Sequence, residues 1–508
     1  MDMINFIPND PLVVDVIPMR RVAARPDRDA GTAGITVASN AAEGTFDPGH
    51  PDFVAWQARQ AAMLAVEAWE EVLGEPLTSW AQEAVNPAAL MLIPDAGEEV
   101  NAYYDRESLS FFHASNGRGT TFTGASTDVV AHEVGHGVLD ALRPDLWFVN
   151  LLEVGSFHEA FGDITSILTA LRDEPTRKAL LDVSPDLSEP NFVEAITEDL
   201  ADTARHLFGA NFSAAKPRRA LNTFKWQLPQ TMPQSGGPDV MIAEVHSLGR
   251  IISGCFYDIL RGVFVAGDRQ TAAGLWKATK TTAALVYEAA RTAPAVPRFF
   301  RAFGRAMVLA DNTLNDGAHS QIIGKAFFDH GIALGAQAFL APELPLAGGS
   351  PTLSPDGVSL ERATISDLRR RVGAGARAAA SVSLVELGGA TMANVTIHDE
   401  VALDKVDKRL RGVVAGVDSV ALVGDSGGAA ALMTAPRAGA ASSEVLDFVG
   451  SLVKHDQVDF GAAPAAKKRA VKAPDKSATV TTHAVRKRGR KQELQRVRFA
   501  CGAARSER

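Results

Sequence analysis

Residues 132–136 read His-Glu-Val-Gly-His, and no other stretch restricts the fold and chemistry of this chain as tightly. Side chains four apart on an α-helix stack on one face. A helix here presents His132 and His136 to one zinc ion and turns Glu133 toward a water on that metal. Zinc needs ligands that are neutral at pH 7 and fixed in space, and histidines one helical turn apart meet both needs. The bland alternative is a pair of ordinary helix histidines beside a solvated Glu. With 12 His in 508 residues, a chance match is expected on the order of a few per cent of the time at most.

A catalytic zinc takes three protein ligands and keeps one position open. A third His ten residues after the first would require Gly at 139 and His at 142. The chain has Leu139 and Leu142, which excludes that pattern. Downstream lies Gly155-Ser156-Phe157-His158-Glu159-Ala160-Phe161-Gly162-Asp163, with Glu159 placed 23 residues after His136. That distance allows one helix to finish, a turn at Arg143-Pro144-Asp145, and a second helix to return against the first. Glu159 is therefore assigned as the third ligand. Asp163, one turn further on, is assigned the carboxylate that accepts the free N–H of a zinc-bound His, with His132 the expected donor. His158 competes as a ligand but projects about 100° away from Glu159 on a helix. Gly135 and Gly137 each cost about 1 kcal/mol in a helix, so close backbone approach near the metal is expected there.

The run Ser126-Thr127-Asp128-Val129-Val130-Ala131-His132-Glu133-Val134-Gly135-His136-Gly137, followed by Glu159-x-x-x-Asp163, resembles the thermolysin-like gluzincin metallopeptidases, with kinship to the fungalysins. Three further stretches fit in order: Asn101-Ala102-Tyr103-Tyr104, Glu244-Val245-His246-Ser247, and Ile322 to Ile332. The likeness covers about residues 50–335. It implies an α+β fold with a β-rich N-terminal lobe, a helical C-terminal lobe and the zinc helices at their junction. The implied activity is zinc-dependent endopeptidase chemistry, with Glu133 as general base and His246 as hydrogen-bond donor to the developing oxyanion. Asn101 and Ala102 are implied to bind substrate backbone, and Arg219, 27 residues before His246, to meet a substrate carbonyl.

The chain also departs from the family pattern. Five residues before His246 stands Met241 rather than Asp, leaving Asp239 or Glu244 to orient the imidazole. Arg218 takes a position that is apolar in typical members, so a simple preference for large apolar side chains is not implied. Nine residues before Glu159 stands Asn150 rather than the oxyanion Tyr, and losing one such donor typically costs about 2.7–4 kcal/mol in barrier. Asp128 matches a calcium ligand, yet no acids follow Asp163 in register, although Asp173, Glu174, Asp182 and Asp186 lie nearby; Ca2+ is left open. The alternative to a peptidase is a catalytically weakened zinc protein that binds peptides or polyanions.

Length allows two to four domains, and 46% apolar with 22% charged residues is ordinary for a soluble globular protein. Residues 1–50 read as an N-terminal extension and 51–340 as the zinc domain. Within it, 53–74 reads as a helix with the stripe Phe53, Trp56, Met63, Val66 and Trp69, interrupted by Gln60. Residues 88–125 read as strands and hairpins, and Asp128 to Ile332 as mainly helical. A substrate peptide is expected to add to an edge strand near Asn101. Residues 341–357, rich in Pro and Gly, read as a linker, and 358–460 as a small α/β domain in which Asp425-Ser426-Gly427-Gly428 is a weak anion-binding candidate.

Residues 461–508 carry fourteen Lys or Arg against three acids, +11 in all, leaving −20 on the rest. They read as a largely disordered basic tail that solvates or meets a polyanion, with Gln495–Ala500 alternating enough for a final strand. Two cysteines, Cys255 and Cys501, give no disulfide framework. The first residues lack a basic region and an apolar core, and no run of about 18 apolar residues marks a membrane span. About 50 residues precede the zinc domain, fewer than the family's propeptide, so a cytoplasmic protein or one exported without a cleaved signal is expected.

Overall fold

His50 and Pro51 set the start of helix α1 (Pro51–Leu73). The His50 imidazole accepts from the Asp52 amide at 3.1 Å, Pro51 needs no amide partner, and Gly74 ends the last turn. The helix is buried along most of its length, and the buried face includes Gln57 and Gln60. Gln57 accepts from the Ile7 amide and donates to the Ile7 carbonyl, both at 2.9 Å, while Gln60 accepts from the Arg25 amide at 3.0 Å. A buried amide left without partners costs about 1–3 kcal/mol. The residue that interrupts the apolar stripe is thus an anchor for the chain's beginning. The described residues among the first fifty are accordingly part of the body rather than an extension. Met3–Phe6 pairs with Arg20–Ala23, and Gly34–Val37 runs parallel beside Ala89–Ile93.

The computed structural model describes residues 3–42, 44–117, 119–267, 269–335, 344–348, 350–354, 357–387, 390–424, 428–429, 440–461 and 480–501. Helices α2 (Thr127–Leu142), α3 (Leu152–Arg172), α4 (Glu174–Val183), α5 (Glu198–Phe208), α6 (Val245–Ala266), α7 (Ala272–Thr292), α8 (Phe299–Asn315) and α9 (Ser320–Asp329) follow, then α10 (Arg362–Arg371) and α11 (Ala440–Lys454). The protein is α+β. A five-stranded sheet has the order Phe499–Ala500, Ala102–Tyr104, Ser108–Phe111, Ala89–Ile93, Gly34–Val37. One apolar core runs from this sheet through α1, α2, α3, α6, α7 and α8.

Helices α2 and α3 cross at very short range. A Cβ on Gly135 would lie 2.6 Å from Thr165 Oγ1 and 2.8 Å from the Gly162 Cα, and one on Gly137 would meet the Trp80 ring at 3.0 Å. The two glycines therefore serve the close approach that their helix-breaking cost suggests.

The C-terminal region differs from expectation. Ala379–Leu387, Ala390–Ala402 and Val413–Val423 pair antiparallel in succession within an eight-stranded sheet that also takes in Leu344–Pro345 from the expected linker. The expected disordered tail contributes His483–Arg488 and Lys491–Arg496 to the same sheet. These strands bury His483, Ala484, Leu494 and Arg496 and leave Arg486, Lys487 and Arg488 exposed, so these three charges lie on solvent-facing positions of a hairpin. Lys491 pairs with Glu400 at 2.5 Å. Residues 425–427 of the anion-binding candidate, and 462–479 and 502–508 of the tail, lie outside the described residues. Val401, Leu403, Val445, Phe448 and Leu494 join the main core, and Ser451 donates to the Ala243 carbonyl at 2.5 Å. Among the described residues no helix is long and apolar enough to cross a membrane.

Gly135→Val tests the helix crossing. Overpacking of this kind costs about 1–3 kcal/mol, so thermal unfolding followed by circular dichroism should show a lowered Tm; an unchanged Tm would contradict the close approach.

Candidate metal centre

Ser126 caps α2, accepting from the Val129 amide at 3.4 Å, and the helix carries His132, Glu133 and His136 into full burial. Glu159 and Asp163 arrive from α3, also buried. Glu159 Oε2 lies 3.3 Å from His132 Nε2 and 3.9 Å from His136 Nε2. Asp163 Oδ1 meets His132 Nδ1 at 3.1 Å, so the ring is held from its far side. Gly162 makes this possible, since a Cβ there would fall 2.6 Å from the His132 ring. The five residues assigned from the motif are thus brought together.

Both ring nitrogens of His136 and both carboxylate oxygens of Glu133 are buried without a hydrogen-bond partner. Such groups are expensive to bury unpaired, and a cation among His132, His136 and Glu159 supplies His136 with its partner. Ligand atoms about 2.0–2.1 Å from a tetrahedral zinc would lie about 3.3–3.4 Å apart; Glu159 stands at that separation from His132 and somewhat further, 3.9 Å, from His136, so the donor set fits once His136 closes slightly. Burial, then the nearby His132, holds the His136 pKa well below its usual value, keeping the imidazole neutral as a ligand requires. Burial, followed by Glu159, pushes Glu133 up to about 8 against the pull of His132.

His246 stands at the first turn of α6, its Nε2 3.1 Å from Glu159 Oε2. Glu244 orients it: one carboxylate oxygen meets His246 Nδ1 at 2.6 Å and the other accepts from the Ser247 amide at 3.0 Å as the helix cap. Of the two candidates left open, Asp239 is exposed and pairs with Lys216 at 2.6 Å. An acid at the cap two residues before the His was the legible signal. Burial lowers the His246 pKa, but Glu159 and Glu244 outweigh it and push it up to about 9.

Two placements differ from the sequence reading. Arg219 turns away and pairs with Glu194, its side chain nearly half exposed. Arg218 instead reaches the centre, donating to Asp163 Oδ1 at 2.9 and 3.0 Å. Arg218–Arg219 is a strand paired with Ala195–Ile196, so the two side chains point to opposite faces, and spacing from His246 does not say which points inward. Asn150 donates to the Gly416 carbonyl at 3.0 Å, so its amide is engaged by the C-terminal sheet and does not replace the missing Tyr at the centre. His158 is buried under Phe499, ring centroids 4.1 Å apart, and is not among the residues that converge.

Asn101 is fully buried and donates to Glu99 at 3.3 Å. The Ala102 carbonyl accepts from the Cys501 amide at 2.8 Å. The edge expected to receive a peptide is occupied by the chain's own Phe499–Ala500 strand. No sequence signal placed these residues here, because they lie more than 350 positions from Ala102 in the chain. The cavity lined by Arg218, Glu244, His246 and Cys501 is only about 50 Å³, far below the roughly 300–1,000 Å³ of ligand pockets. Larger cavities, such as one of about 690 Å³ beside Arg20 and Trp276, lie away from these residues.

A second group joins Asp128. Its companions are Asp10 and Glu198, not the four acids that follow Asp163 in sequence. Of those, Asp173 pairs with Arg20, Glu174 with Lys178 and Asp186 with Arg261. The Thr197 amide donates to Asp128 at 2.6 Å. Burial, then Asp128 and Asp10, pushes Glu198 up to about 10.

The described residues thus define an α+β protein with a buried His/Glu cluster that can hold a divalent cation, and a separate acidic group that can hold another. No protein-family model matches the chain, and no curated protein matches it.

The acidic group predicts a pH dependence. The folded pKa of Glu198 lies above its ordinary 4.5, so its contribution to stability is full below about pH 4.5 and is lost as pH rises toward 10. In metal-free protein, Glu198→Gln should leave Tm nearly unchanged at pH 4 and raise it at pH 8. Calorimetry showing no growth of that difference with pH would refute the assignment.

Proposed function

We propose that the chain is a zinc-dependent endopeptidase of the thermolysin-like gluzincin type, hydrolysing peptide bonds by metal-activated water with Glu133 as general base. The observation that carries this reading is the convergence of His132, His136 and Glu159, with the unpaired Glu133 carboxylate beside them. Those three residues would hold a zinc ion, which would supply a water acidic enough to lose its proton near pH 7 and a Lewis acid for the substrate carbonyl. Glu133, buried beside these ligands with both carboxylate oxygens unpaired, is placed to take a proton from that water and return it to the leaving amine. His246, pinned at Nδ1 by Glu244, presents Nε2 as donor to the carbonyl oxygen as it gains negative charge. Asp163 fixes the His132 ring, and Arg218 fixes Asp163. Opposite stands the strand Ala102–Tyr104, whose edge holds the chain's own extended Phe499–Ala500 segment in the way strand addition holds a peptide.

The two-lobed reading is supported by the five-stranded sheet on one side of α2 and the helices α3 to α9 on the other. Asp10, Asp128 and Glu198 supply the hard oxygen ligands that calcium prefers. The second reading, a zinc protein of weakened catalysis, is favoured by one observation: Asn150 is spent on Gly416, leaving the oxyanion with fewer donors than the family provides.

Glu133→Gln should retain zinc and lose about 10²–10⁴-fold in peptide hydrolysis; full activity in zinc-loaded Glu133→Gln would sink the mechanism. His246→Ala should lower kcat by about 10²–10³-fold with zinc content unchanged, and Glu244→Gln should do so less severely. If zinc-loaded wild-type protein cleaves nothing in a peptide library while metal analysis confirms the ion, the weakened-catalysis reading stands instead.

A further inference from the structure

The peptide bond between Ala500 and Cys501 is held at both polar ends by the elements assigned to substrate binding. Its N–H donates to the Ala102 carbonyl at 2.8 Å. Its carbonyl oxygen lies 2.8 Å from His246 Nε2. The strand leading to it is antiparallel to the edge, Phe499 opposite Tyr104 and Ala500 opposite Tyr103. The residues on either side straddle the metal cluster. Phe499 stacks on His136 with centroids 4.7 Å apart. The Cys501 thiol groups with His132 and Glu133, next to the general base on the amine side of the bond. Strand addition to an edge with alternate side chains in pockets is how an extended peptide is recognised. Here it is achieved by residues more than 250 positions from His246 in the same chain.

The thiol does not sit as a fourth metal ligand would. It clusters with His132 and Glu133, while His136 and Glu159 form their group with His132. A donor closing the tetrahedron would stand equally near all three ligands. The arrangement is that of a bound substrate rather than of a capping thiolate.

We propose that the Ala500–Cys501 bond is a substrate of the chain's own centre and is hydrolysed in place, leaving Ala500 as a new C-terminus. This rests on the peptidase reading above. In the reaction the oxygen of one water adds to the Ala500 carbonyl carbon and the C–N bond breaks. Glu133 moves a water proton to the departing Cys501 nitrogen. The products are a carboxylate at Ala500 and a fragment beginning with the amine of Cys501. His246, already at the carbonyl oxygen, steadies the charge that develops there.

The test follows the intact mass of full-length protein, purified in chelator, after zinc is added, with a peptide library hydrolysed in the same tube. The mass should fall by that of residues 501–508 with a first-order rate unchanged by tenfold dilution, as an intramolecular step requires. Glu133→Gln should keep its full mass. Cys501→Ala should still be cut, and Cys501→Pro, which lacks the N–H that Ala102 accepts, should not. Zinc-loaded protein that cleaves the library but retains its full mass would overturn self-processing and leave the peptidase reading intact. Loss of both cleavages would remove both. A cut at any other bond overturns the assignment. So does a Cys501→Ala chain that becomes active on the library without being cut, since the strand would then be an uncut plug held by its thiol.

Discussion

The molecule depends on the close crossing of α2 and α3. Glycines at 135 and 162 let the two helices approach until the His132 ring lies over the backbone of α3. At that range a carboxylate from one helix reaches two imidazoles from the other. Even a methyl group at either glycine would force the helices apart or displace the ring, and interiors packed to crystal density pass such shifts on to their neighbours. The position of every group around the centre follows from this contact, including His246, whose helix α6 packs on α3 through Gly249 against Glu159.

Around that crossing the protein buries an unusual amount of charge. Asp163 is shared between His132, Arg218 and Ser253. Burial opposes its ionisation, yet Arg218 and His132 hold its pKa well below the ordinary carboxylate value. Glu244 is likewise held down to about 2 by His246 against burial. Buried ions are costly unless paired and hydrogen-bonded, and these are paired. The Glu133 carboxylate and the rings of His136 and His158 are buried there without a hydrogen-bond partner. Unsatisfied polar atoms gathered in one place, within a core otherwise apolar, mark where a ligand and a reaction belong.

The C-terminal sheet does more than append a domain. It shares the main core, takes the Asn150 amide through Gly416, and from its strand Lys491–Arg496 the chain runs on into Phe499–Ala500, which completes the five-stranded sheet. Buried Arg496 lies over the Phe499 ring at 4.1 Å, fixing the strand's approach. An open sheet edge is a template for pairing with another chain. In this protein the edge beside the metal cluster is covered from within, so access to the centre and the placement of residues 499–501 are one question.

The sequence by itself determined what is local. Spacing of four in His132 and His136, and of four again in Glu159 and Asp163, sets two helical faces whatever the rest of the fold does. The same periodicity placed α1, and the glycines at 135 and 137 announced close packing. Where a choice turned on which of two adjacent side chains faces inward, as for Arg218 and Arg219, the chain gave no answer, because a strand sends neighbours to opposite faces and only its pairing with Ala195–Ile196 fixes which is which. The companions of Asp128 were equally hidden: Asp10 and Glu198 lie 118 and 70 residues away and meet it only through the packing of the turn at Pro11–Val13 against α5. Residues 480–501 of the tail were hidden in the same way: their charges suggested solvent, but strand pairing ordered a hairpin with Arg486, Lys487 and Arg488 outward and carried Phe499, Ala500 and Cys501 into the centre. Contacts between residues hundreds of positions apart are decided by which surfaces can be buried together, and that belongs to the tertiary structure alone.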